Sequence, residues 1–71
     1  MRIEYKGFAL VANREKDKGI YRTFYSAQNI ETRMILSETN DNISIQDALE
    51  ELKEDVDHYL NDTKGYQLKE K

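Results

Sequence analysis

The chain of 71 residues has no cysteine and no proline, only three glycines and a single histidine. Most of these shortages remove a class of chemistry. Without cysteine there is no disulfide, no thiolate metal site and no thiol redox activity. The glycines stand apart at positions 7, 19 and 65, so no glycine-rich loop cradles a phosphate. No apolar run approaches the roughly 20 residues needed to span a bilayer. The opening MRIEYKGFAL lacks the uninterrupted apolar segment of a secretory signal. The expectation is a cytoplasmic protein that does not engage membranes. Asn42-Ile43-Ser44 and Asn61-Asp62-Thr63 match the glycosylation sequon, but without export they are chance matches.

What remains is enough for one small domain, near the size where a single core is barely sufficient. Apolar residues make up 38% and charged residues 35%. The apolar ones are periodic, which argues against disorder. The clearest period lies between Ser44 and Asp62. There Ile45, Ala48, Leu49, Leu52, Val56, Tyr59 and Leu60 form one continuous stripe on an α-helix. Ser44 fits the N-cap, with Asp47 three residues on in a capping-box arrangement. Ile43 and Ala48 occupy the positions of a hydrophobic staple.

Ahead of the helix, three strands are expected. Residues 2–13 alternate in two registers, Ile3 and Tyr5 on one parity and Phe8, Leu10 and Ala12 on the other. The change falls at Lys6-Gly7, where a bulge would keep one face inward. Asn13 to Gly19 is polar and suits a hairpin connection. Ile20 to Ala27 is rich in aromatic and β-branched residues and reads as the second strand. Thr32 to Ser37 is the third, and Glu38 to Asn42 a polar loop feeding the helix cap. The fold class is therefore α+β, a three-stranded antiparallel sheet in β-β-β-α order with one amphipathic helix packed on one face. Residues 1–62 make up the domain; residues 63–71 form a C-terminal tail, frayed or a short strand.

Both parities of this sheet carry apolar side chains. If Phe8, Leu10, Ile20, Phe24, Met34 and Leu36 meet the helix, then Val11, Tyr21, Tyr25 and Ile35 are left outside. The opposite register also fits, because Arg22 shares the parity of Ile20 and Phe24. One helix cannot cover two apolar faces. A second body is expected against the sheet: another copy (a homodimer), a partner protein or a flat ligand. The plainer alternative is that the tail folds back over it.

The net charge of −3 is unevenly spread. Between Ser44 and Asp62 stand seven acids (Asp47, Glu50, Glu51, Glu54, Asp55, Asp57 and Asp62) and one base, Lys53. Such a helix face repels phosphate backbones. His58 forms a row with Glu54 and Asp62 at helical spacing, which reads as a solvated polar face rather than a metal site. Asn40-Asp41-Asn42 with Ser44 and Glu51 partly matches a calcium loop. It lacks the turn glycine, Ile45 standing in that place, and is better explained by turns and capping. No acid interrupts the apolar stripe, so no buried carboxylate is set up for proton transfer. Ser26 and Ser37 have no histidine that the sequence places beside them.

The expectation is a small acidic interaction protein, not an enzyme, with no cofactor and no metal. Its candidate partner-binding residues are Glu50, Glu54 and Asp57 on the helix. On the sheet, Tyr21, Tyr25 and Ile35 are candidates for partner binding or self-association. The alternative is a nucleic-acid-binding module using Arg22, Arg33, Tyr25, Lys16 and Lys18, with Tyr21 and Arg14 nearby. Aromatics interleaved with bases can stack nucleobases and hold phosphates, but the acidity of the whole chain weighs against it.

Three short strands followed by Ser44-Ile45-Gln46-Asp47-Ala48-Leu49-Glu50-Glu51-Leu52 resemble the N-terminal domain of HicB-like antitoxins. Those chains also run from a small sheet into a T/S-x-x-E/D-A-L/I-x-x helix ending in Tyr-Leu, as Tyr59-Leu60 does here. The likeness covers about residues 7–61 in layout and only the helix in residue detail. It implies a small oligomeric protein that masks a toxin or another macromolecule. The Pro-Gly-Cys loop expected between the strands of that family is absent, as is a C-terminal DNA-binding segment. No site residue is carried over. Apart from the likeness, the acidic helix alone suggests a phage or mobile-element inhibitor that occupies a basic surface.

Overall fold

The sheet takes its topology from two Lys-Gly pairs. Lys6 (φ 50°) and Gly7 (φ 86°), like Lys18 (φ 54°) and Gly19 (φ 85°), are both left-handed. Two consecutive residues of that conformation make the type I′ turn that closes a tight hairpin. The computed structural model describes residues 1–69, with side chains as far as Asn61. Its strands are β1 (Arg2–Tyr5), β2 (Phe8–Asp17), β3 (Ile20–Asn29) and β4 (Ile35–Asp41), followed by the helix α1 (Ile45–Lys69). They form one antiparallel sheet in the order β1-β2-β3-β4. The class is α+β, but with four strands rather than the three expected. Gly7 does not bulge a single strand; it turns the chain back on itself.

The boundaries differ from expectation for related reasons. The polar stretch Asn13–Asp17 is the end of β2, because its backbone pairs with β3 up to Asp17↔Ile20. The next turn is not at Gln28–Glu31 but runs on to Met34. The Asn29 Oδ1 accepts the N–H groups of Glu31 and Thr32, each at 2.9 Å. Arg33 is left-handed (φ 65°), and the Asn29 N–H closes the turn on the Met34 carbonyl at 2.8 Å. So β4 begins at Ile35 and absorbs Glu38–Asp41, expected to be loop. Polar residues suit it because it is an edge strand whose side chains largely face water. A register shift between Ala27 and Gln28 sets the bulge here rather than at Gly7.

The two-residue turns decide which side chains share a face. Directly paired residues point to the same side, so Leu10↔Ala27 and Ala12↔Tyr25 put even residues of β2 with odd residues of β3. The face under α1 is Phe8, Leu10 and Ala12 with Thr23, Tyr25 and Ala27, met by Ala48, Leu49, Leu52 and Val56 of the helix. Ile3, Tyr5, Leu36, Ile43, Ile45 and Leu60 pack around this core. The opposite face carries Ala9, Val11, Phe24, Ile20 and Ile35, the last two exposed, among Arg2, Glu4, Asn13, Glu15, Arg22, Gln28 and Glu38. A second apolar face exists, but its members are not those expected: Tyr25 is spent on the core, and Ile20 and Phe24 lie outside with Val11 and Ile35.

At the head of α1, the Ser44 hydroxyl accepts the Asp47 N–H at 3.0 Å, the expected cap. Thr23, fully buried, donates its hydroxyl to the Ile43 carbonyl, which also accepts the Arg14 guanidinium. Arg14 further donates to Thr23 Oγ1 at 3.0 Å and to Asn42 Oδ1 at 3.3 Å. These bonds fasten the chain to the sheet just before the helix starts. Over the stretch expected to be a tail, the backbone of α1 is helical to Lys69; side chains beyond Asn61 and residues 70–71 lie outside the described residues. No helix of the described residues is long and apolar enough to cross a membrane.

Candidate interaction surfaces around the helix

The helical repeat sorts the acids of α1 into three sets according to their angle from the apolar stripe. Asp57 lies on the flank toward β1. Asp47, Glu50 and Glu54 lie on the outer surface. Glu51 and Asp55 lie on the flank toward β4.

On the β1 flank the acid is neutralised. The Tyr5 hydroxyl donates to Asp57 Oδ1 and Oδ2, both at 3.0 Å, and Lys6 Nζ donates to Oδ1 at 2.7 Å. The hydrogen bond from Lys6, then that from Tyr5, holds the Asp57 carboxyl below its ordinary pKa. The same bond raises the Lys6 ammonium above its own. Lys6 and Lys53 place their ammonium groups 5.2 Å and 5.8 Å from the Tyr5 ring centre, within cation–π range. Asp57 was expected on an open binding face. It is instead a fastener between α1 and the first hairpin, and is removed from the candidate set.

The outer surface holds the other two expected partner-binding residues. Glu50 and Glu54 are exposed; Glu50 has only Lys53 nearby, at 3.9 Å. Such exposed pairs contribute little, so the outer acids keep their field toward solvent.

The flank toward β4 is open. Leu36 and Ser37 of the strand and Asp55, His58 and Tyr59 of the helix border a shallow depression of about 330 Å³. Tyr59 packs edge-on against Phe8, with ring centres 6.0 Å apart. Further along, the Tyr25 hydroxyl donates to Glu51 Oε1 at 3.3 Å. Burial, then the charges of Glu51, Asp41 and Asp55, raises the Tyr25 pKa. Asp55 borders the depression, and Glu51 and Asp41 lie further along the same flank, near the Tyr25 hydroxyl. Between Met34 and Leu52 there is no Lys, Arg or His, only Glu38, Asp41, Asp47, Glu50 and Glu51 among ionisable side chains.

The sheet residues proposed for binding do not form one surface. Tyr25 is 5% exposed and belongs to the core. Tyr21 is 57% exposed on the α1 side of the projecting hairpin, whereas Ile35, 54% exposed, pairs with Gln28 on the other face. The basic residues are also dispersed. Lys16 pairs with Tyr21, Lys18 occupies the hairpin turn, and Arg22 crosses to β4, donating to Asn40 Oδ1 at 3.2 Å. Arg33 lies in the turn at the far end of β3, about 30 Å away at the rise of an extended strand. Arg14 is committed to the helix head. Of the row His58, Glu54 and Asp62, the Asp62 side chain lies outside the described residues.

Glu51 and Asp55 are not among the binding candidates of the sequence, although both border the apolar stripe next to Ala48 and Tyr59. What they face depends on a strand of which only residues 35–37 were expected, residues 38–41 having been assigned to a loop. Against family models, curated proteins and solved structures, the chain finds no match.

Proposed function

We propose that this chain is a non-enzymatic module that binds a protein partner through the acidic surface of α1 and its neighbouring strand. The observation that supports it is the segregation of charge. The Met34–Leu52 stretch is wholly acidic among its ionisable groups, and among the described residues the outer acids Glu50 and Glu54 meet only Lys53, 3.9 Å from Glu50. The fitting partner is a protein with a basic surface, and complementary fields of this kind speed encounter and select partners. A role like that of a HicB-like antitoxin, or of a phage or mobile-element inhibitor occupying a basic surface, is consistent with this arrangement. Self-association through the sheet is a weaker form of the proposal, because Tyr25 belongs to the core and Tyr21 and Ile35 lie on opposite faces. The nucleic-acid reading is disfavoured, since Tyr25 is buried and its bases are spread over both faces and both ends of β3.

The test is affinity capture from lysate with identification of what is retained, comparing the wild type with a Glu50→Lys/Glu54→Lys variant. A basic protein held by the wild type, released by salt and lost by the variant supports the reading. Equal retention by both removes the helix face from it. Salt-sensitive binding of single-stranded RNA that Arg22→Ala abolishes favours the alternative instead.

A further inference from the structure

The outer side of β4 pairs with nothing among the described residues. An edge of this kind presents alternate unpaired N–H and C=O groups, a template for one more strand. Natural edges are usually blunted by lysine, proline or brevity. This one runs seven residues, ILSETND, with no lysine and no proline; a bulge at Leu36 and the acids Glu38 and Asp41 are what mark it.

Those acids discriminate between occupants. A second copy pairing antiparallel about Glu38 sets Glu38 against Glu38. Like charges directly opposed destabilise a sheet, so that register is disfavoured, whereas registers centred on Ser37 or Thr39 oppose no like charges. A basic strand meets opposite charges. Glu38 awaits it on the Phe24 face, Asp41 at the strand end, and Glu51 and Asp55 along the helix. Among the described residues, Arg22 lies on the Phe24 face and is bonded to Asn40, and His58 borders the depression beside Leu36 and Ser37. The depression between Leu36 and Tyr59 gives room for an apolar side chain beside these charges.

We propose that β4 receives an extended segment of another protein as a fifth strand, and that this segment is basic, with an apolar side chain set between Leu36 and Tyr59. Main-chain pairing supplies affinity, while the acids and the apolar notch choose the sequence, as in other cases of strand addition. The inference rests on the protein-binding reading above and names how the partner docks.

The probe is a fluorescent peptide of alternating lysine and valine. Its control has the same sequence with alternate backbone nitrogens methylated, which keeps charge and side chains but removes pairing along one edge. Anisotropy titrations should show the control binding about tenfold more weakly or worse, the loss of one or two hydrogen bonds. Amide shifts in NMR spectra should concentrate on residues 35–41. Glu38→Lys/Asp55→Lys, both exposed changes, should abolish binding with unchanged circular dichroism, whereas Glu50→Lys/Glu54→Lys, which removes the outer field but leaves the edge, should weaken it by a smaller factor. Equal binding of the methylated peptide overturns strand addition. So do shifts confined to the outer helix, an outcome that leaves the acidic-surface reading standing. A peptide that does not bind at low salt overturns both.

Discussion

The two long sides of α1 rest on the same sheet yet end differently. Toward β1, Asp57 is held by Tyr5 and Lys6, and Lys6 and Lys53 both lie near the Tyr5 ring. Toward β4, Asp55 and Glu51 meet no base among the described residues, and the strand beyond them leaves one edge open. Both flanks carry carboxylates at the same angular distance from the apolar stripe. The difference comes from the strand each one faces. A lysine in the Lys6-Gly7 turn converts an acid into a fastener; the polar, acidic β4 leaves its neighbours as an outward field.

The largest change should come from removing what the flanks share. Leu52 is fully buried between them, and Leu52→Ala should cost about 2–5 kcal/mol in chemical denaturation. A loss of under about 1 kcal/mol would place the core elsewhere. Next is the joint at the helix head. Thr23→Val removes the hydroxyl that donates to the Ile43 carbonyl and accepts from Arg14, and should cost about 1–3 kcal/mol. Both flanks should loosen together, seen as faster amide exchange across residues 45–49.

The flanks should then separate by pH. Asp57 has a lowered folded pKa, so its contribution is complete above the ordinary carboxylate value and lost as pH falls through the folded one. Asp57→Asn should flatten that part of the acid limb, and Glu54→Gln should not. Tyr25 behaves in the opposite sense. Its folded pKa is raised, so its contribution is present below the ordinary phenol value and lost as pH rises through the folded one. Thermal melts across both limits, repeated on Tyr25→Phe, read this directly. An alkaline limb unchanged by that substitution would contradict the buried position of Tyr25.

The smallest effect on stability belongs to the outer helix. Glu54→Lys should shift the folding free energy by no more than about 0.5 kcal/mol, while weakening capture of a basic partner. A large stability loss would mean that Glu54 is tied down as Asp57 is, and the contrast between the outer surface and the β1 flank would vanish.

The helix was legible because its signals are local. The stripe from Ile45 to Leu60 and the Ser44 cap act within a few turns of chain, and both are found where expected. The antiparallel sheet was legible as a class, and its strand count was not. Lys6-Gly7 was taken for a bulge, although Lys-Gly recurs at 18–19 and both pairs adopt the same left-handed turn. Reading both as two-residue turns would also have set the register, since such a turn pairs even positions with odd ones. Tyr25 would then have been assigned to the core with Leu10, and Ile20 and Phe24 to the outer face with Val11, where Ile35 also lies.

The sequence by itself determined where the helix begins, which of its faces is apolar, and that the solvent side is acidic, because period and capping depend on neighbours in the chain. Only the tertiary structure decided that Asp57 is a fastener while Asp55 borders an open strand. Their partners, Lys6 and the β4 edge, lie 51 and at least 14 residues away along the chain, and nothing in the local pattern of α1 says which of them the helix will meet.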